Sequence, residues 1–178
     1  LYSSCLLFAG AGNWLKNGNA TEKYGNGIVT ADEISRMDCR NVELVVLSAC
    51  FGGMNDAVLA KGFCGMVGGF AAAGVKYVIS CLWTADDFAS AVLMAEFYRQ
   101  YKDRRLSPPA ALRAAKKYLR RVTIQELEEK NWFDIALKNG ELSSEARDAV
   151  LELSDMPPKF APFNNEIYWA GFTCFRCN

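Results

Sequence analysis

A chain of 178 residues, 51% of them hydrophobic, is long and apolar enough to bury a core, so it reads as one α/β domain of ordinary size rather than a disordered segment. Twenty basic and twenty acidic residues cancel to a formal net charge of zero, which leaves no generalised electrostatic pull on nucleic acid. Seven cysteines, odd in number and irregularly spaced, suit reduced thiols in a cytoplasm better than a secreted disulfide framework, and there is no histidine.

The chain begins at Leu1 with no basic leader, which reads as a fragment, a processed subunit or a domain cut from something longer. Residues Ser3–Ala9 form a short apolar run expected to be a strand, ending where Gly10, Ala11 and Gly12 turn the chain. The polar stretch Asn13–Gly27 is expected to be a loop. Thr30 and Glu33 form a capping-box pair and predict a short helix over Thr30–Arg36. Leu44–Leu47 is continuously apolar with two β-branched residues, as in an inner strand of a parallel sheet, and it runs into Ser48, Ala49 and Cys50.

Asn55 or Asp56 can cap a helix over Ala57–Ala73 that is small and apolar nearly all round, with Gly74 to end it. Val75–Leu82 is a second inner strand. Four glycines and Lys76 interrupt the apolar stretch Phe63–Trp83, which favours a buried helix and strand over a membrane span. A long helix is expected from Phe88 to about Arg105, with a polar face of Glu96, Arg99, Gln100 and Lys102, and Ser107 with Pro108 opens another, Pro109 to about Val122. Thr123–Phe163 differs in texture, with helical patterns at Ile124–Asn131 and Ser143–Leu153, and reads as an insertion. The aromatic run Ile167–Phe175 is expected to be a final strand. Strands alternating with helices indicate an α/β three-layer sandwich, its mostly parallel sheet covered by helices on both faces.

Reactive groups in open α/β sheets gather beyond the carboxyl ends of inner strands, and Cys50 sits at such an end. Gly52 and Gly53 let the backbone turn and present bare N–H groups near the sulfur, as an oxyanion site requires. A helix N-terminus after Asn55 would add a positive field that favours the thiolate. Cysteine is equally at home as a small buried hydrophobe, and no histidine within the chain can take its proton. Asp86 and Asp87, just past the second inner strand, suit a pocket for a basic substrate side chain, or the plain role of helix cap. Ser48 could line the same pocket or be an ordinary buried serine. Trp83 and Trp169 read as core or cleft-wall aromatics. Cys174 and Cys177 have zinc-knuckle spacing without a second ligand pair, so no metal or other cofactor is expected. Lys116, Lys117, Arg120 and Arg121 read as a solvated helix face and not as a nucleic-acid surface.

Several motifs in combination resemble a CHAT domain, a caspase-like peptidase domain often found with tetratricopeptide repeats: Leu44–Cys50 followed by glycine, Ala73-Gly74 before a strand, Cys81-Leu82-Trp83 with Asp86-Asp87, Leu106-Ser107-Pro108 with Ala110–Ala114, and Tyr168–Phe172. The resemblance runs from Ser3 to Phe172 and is weakest over Thr123–Phe163. It implies that residues 1–178 are the C-terminal part of one caspase-like domain with Cys50 as nucleophile, and that the partner histidine lies upstream. Where the family often has threonine and glycine shortly after the cysteine, this chain has Phe51-Gly52-Gly53 and keeps the glycine. The implied activity is cysteine endopeptidase on a protein or peptide, with a repeat region or an N-terminal fragment of the same protein as partner. A catalytically inactive caspase-like module that works by binding a partner is the alternative.

Overall fold

The structure is a computed structural model that describes residues 4–18, 25–47, 65–138 and 143–177. The chain divides into two compact units, Leu1–Trp83 with Cys174–Asn178, and Thr84–Thr173. In the first, β1 (Cys5–Leu7) pairs antiparallel with β2 (Ile28–Thr30), Leu6 opposite Val29. Between them lies α1 (Ala11–Asn17), where the sequence suggested only a turn and a loop. Gly10 and Gly18, both in the left-handed region, bracket this two-turn helix, and Asn17 donates to Asn13 across one turn at 2.7 Å. Its apolar residues Trp14 and Leu15 face outward, so no buried stripe announced it.

The capping box at the next helix is as expected. Thr30 Oγ1 accepts from Glu33 N at 3.2 Å, the Glu33 carboxylate accepts from Thr30 N at 2.8 Å, and α2 runs Ala31–Ser35. After it, β3 (Leu44–Leu47) pairs in parallel with β4 (Tyr77–Cys81), Leu44 beside Tyr77 and Leu47 beside Ser80. The third member of the sheet is β5 (Phe172–Arg176), with strand order β3-β4-β5. All five residues of β4 are buried, as a continuously apolar central strand requires. Residues 65–72 form the described part of α3, and Ile34, Met66 and Ala73 pack around Ala31 in a core that Leu6, Val29, Leu47 and Phe70 flank. The expected final strand is shorter than its aromatic run: Glu166–Tyr168 form a 3-10 turn capped by the Asn165 side chain, and strand geometry begins only at Phe172.

The second unit is helical: α4 (Asp87–Tyr98), α5 (Pro108–Leu119), α6 (Ile124–Glu129), α7 (Trp132–Lys138) and α8 (Ser144–Ser154). The long helix expected to reach Arg105 changes at Arg99 into a π-helical turn, Arg99–Asp103, that stacks Tyr101 on Phe97 with ring centroids 5.8 Å apart. Helix α4 packs on α5, and Val92, Leu93 and Phe97 of the first and Leu112, Ala115 and Leu119 of the second are buried. Glu96, expected on the polar face, is instead 6% exposed. Arg99 donates to its carboxylate from Nε and Nη2 at 2.7 and 2.6 Å, and Gln100 Nε2 adds a third bond at 2.7 Å. Burial alone would raise its pKa. These bonds, with the positive charges of Arg99 and Lys130, outweigh burial and hold it below the ordinary carboxylate value. The folded protein is thus mixed α/β, with two small sheets among the described residues.

Two substitutions test this packing. Gly74, which follows α3, has φ +96°, and an added Cβ would come within 2.7 Å of Arg40 Cγ and 3.2 Å of Arg40 Cα. Gly74→Ala should therefore lower unfolding free energy by about 1–3 kcal/mol in urea melts. Glu96→Gln weakens charge-assisted bonds and should cost about 1–3 kcal/mol near neutral pH. Because the folded pKa is depressed, the gap between variant and parent should close as pH falls through it; a gap that persists in acid would exclude the carboxylate as its origin.

Candidate active site

Strands β3 and β4 run the same way, so the segments that follow them leave from the same end of the sheet. Cys50 follows β3 by three residues and Asp86 follows β4 by five. Ser48, Cys50 and Gly52 lie outside the described residues. On β4, Ser80 is 1% exposed, and its hydroxyl has no hydrogen-bond partner among the described residues. Trp83, past the strand end, is half-buried and not part of the buried core.

Of the two roles open to Asp86, the structure shows the helix cap. Its Oδ1 accepts from Ala89 N at 2.7 Å and caps α4, satisfying one of the free donors of the first turn. Its side chain also lines, with Asp87, a cavity of about 220 Å³. The aromatic side of that cavity is Phe88, Phe163 and Tyr168, with centroids 6.1 Å apart for Phe88–Phe163 and 5.3 Å for Phe163–Tyr168, and Phe133 stacks on Phe88 from behind at 5.6 Å. Ala149, Val150 and Leu153 of α8 line the cavity as well. Sequence reasoning missed these wall residues. The available signal was the apolar spacing Ala146, Ala149, Val150 and Leu153, one face of a helix, but nothing in it named what the face would meet.

The basic cluster on α5 is partly engaged. Lys116 Nζ donates to Ala170 O at 3.3 Å, and the Arg120 guanidinium sits 5.9 Å from the Trp169 ring. Trp169 Nε1 is buried with no hydrogen-bond partner among the described residues. Cys174 and Cys177 are free thiols, and no group of three or more potential metal ligands occurs among the described residues. Burial, with Cys177 nearby, pushes the Cys174 thiol up to about 11. At a given neutral pH that leaves about a hundredfold less thiolate than an ordinary cysteine has. Alkylation by iodoacetamide at Cys174, followed by peptide mass mapping, should be about a hundredfold slower in the folded chain than in urea. The rate should climb with pH towards 11, and equal folded and unfolded rates would refute the protection.

No helix among the described residues is long and apolar enough to cross a membrane. No curated protein and no solved structure matches the chain. The CHAT domain family matches residues 3–176, nearly the whole sequence. Among the described residues β3 is an edge strand and β4 the inner one; the motifs at both strands and at Tyr168–Phe172 fall within that span, and the chain belongs to the CHAT domain family of caspase-like peptidase domains.

Proposed function

We propose that this chain carries the nucleophile of a cysteine endopeptidase built on a caspase-like three-layer sandwich, with Cys50 as the attacking group. The observation that supports the reading is the parallel β3–β4 pair inside a CHAT match over residues 3–176: Cys50 comes three residues after Leu47, the last residue of β3, and α/β enzymes assemble their sites beyond the carboxyl ends of such strands. The Cys50 thiolate attacks the scissile carbonyl carbon, forming a C–S bond and placing the carbonyl electron pair on oxygen. Backbone N–H groups at Cys50 and Gly52 stabilise that oxyanion. Collapse breaks the C–N bond and the amine leaves with a proton. Water then cleaves the thioester, releasing the acid and the thiol.

The 178 residues contain no histidine, so the general base comes from residues other than these, in the same protein or in a partner fragment. Residues 123–163 are a family-variable insertion in this reading. Ser48, Asp86 and Asp87 belong to the substrate pocket, the substrate is a protein or peptide in the cytoplasm, and neither nucleic acid nor membrane takes part. A tetratricopeptide-repeat region or an N-terminal fragment of the same protein is the natural partner.

Cys50→Ala in the full-length protein should reduce cleavage of protein and peptide substrates by about 10⁴-fold or more. Undiminished cleavage would sink the reading. A wild-type protein that cleaves nothing while still capturing a partner would favour an inactive binding module instead.

A further inference from the structure

Two helices of the second unit carry opposite charges on their solvent sides. On α5 and the turn that ends it, Arg113, Lys117, Arg120 and Arg121 are exposed, and the first three recur at i, i+4 and i+7, which places them along one side of the helix. The helix has no acidic residue to offset them. On α8 and its C-cap, Glu145, Asp148, Glu152 and Asp155 recur at i, i+3, i+7 and i+10 and are exposed, again along one side, away from the face of Ala149, Val150 and Leu153. Arg147 is the one basic residue of α8, and its guanidinium donates to Leu137 O at 3.4 Å. No residue of either stripe forms an ion pair among the described residues, and none joins α5 to α8 within one copy. Like charges one turn apart on a helix repel, so each stripe is unfavourable until something of opposite sign covers it.

We propose that α5 of one copy docks against α8 of a second copy, basic stripe to acidic stripe, and that this contact gives the protein a reversible, salt-sensitive self-association. At 1.5 Å per residue, Arg113 to Arg121 covers about 12 Å and Glu145 to Asp155 about 15 Å, so the stripes match in length as well as in sign. The chain as a whole has no net charge, so a long polyanion gains little from it, whereas an acidic helix of this length fits the basic stripe, and α8 of another copy is one. Exposed ion pairs are individually weak and are screened by salt, so several in register make a contact that forms and breaks with conditions. Complementary charge also fixes which faces meet. The contact involves neither Cys50 nor cleavage and is independent of the peptidase reading.

The test uses full-length protein carrying Cys50→Ala, so that self-cleavage cannot alter its mass, in sedimentation velocity over a range of concentrations. Weight-average mass should rise with concentration in about 50 mM sodium chloride, and association should weaken at least about tenfold in about 500 mM. Lys117→Glu with Arg121→Glu, or Asp148→Lys with Glu152→Lys, should each weaken it at least about tenfold, and an equimolar mixture of the two variants should associate as the parent does, because each then complements the other. Lys16→Glu with Lys159→Glu makes the same change in net charge as the first pair, away from both stripes, and should leave association unchanged. Circular dichroism melts confirm that each variant is folded; if one reversed pair is not, the other reversed pair and the control decide. A mass that stays constant with concentration, a folded reversal of either stripe that associates as the parent does, or two folded reversals that fail to associate when mixed would each overturn the proposal. Loss on reversing the basic stripe alone would overturn it in favour of an acidic segment other than α8.

Discussion

The parallel pairing of β3 with β4 is the constraint on which the rest depends. β4 has a strand on each side, β3 and β5, and all five of its residues are buried, so both its backbone edges and both its faces are satisfied by protein. Backbone bonds extend the pairing ahead of the strand: Tyr77 N donates to Glu43 O at 2.9 Å, and Cys177 N to Lys76 O at 3.0 Å. A strand held this way cannot slip by one residue without breaking its bonded register with β3 and the packing on both its faces. The register thus fixes where β3 and β4 end; in sequence, Cys50 follows the first by three residues and Asp86 the second by five.

The helical unit meets a different demand, the accommodation of charge near a tightly packed helix pair. Glu96 lies on α4 among Val92, Leu93 and Phe97, where a bare carboxylate would be costly. Arg99 and Gln100 supply three hydrogen bonds from within one turn, at the point where the helix gives way to a π turn. The result is a satisfied buried acid whose partner Arg99 stays half-exposed. At the other end of α4, Asp86 and Asp87 are exposed and without ion-pair partners among the described residues. Two acids at one helix start and one acid near its end thus behave oppositely because of what surrounds them.

Family membership and structure inform different parts of the chemistry. The CHAT match gives the family over residues 3–176, and within it Cys50 stands three residues past β3. The structure supplies the aromatic and aliphatic walls around the acidic cavity, which belong to residues far apart in sequence. It also separates the cysteines by environment: Cys81 is buried and burial pushes the Cys174 thiol up, so abundance of thiols does not mean abundance of nucleophiles.

The sequence by itself determined the elements whose causes are local. The apolar runs behind β3 and β4, the Thr30–Glu33 capping box, the Ser107-Pro108 helix start and the Asp86 cap each depend on residues within about four positions of one another, and the site candidate Cys50 followed from its place after a strand. Tertiary structure alone decided the rest. The antiparallel pairing of β2 with β1, the burial of Glu96, the late start of β5 and the meeting of α8 with Phe163 and Asp87 all depend on partners brought together by folding. Short-range pattern reports which face of an element is apolar; what that face meets is settled only when chain segments tens of residues apart compete to cover it.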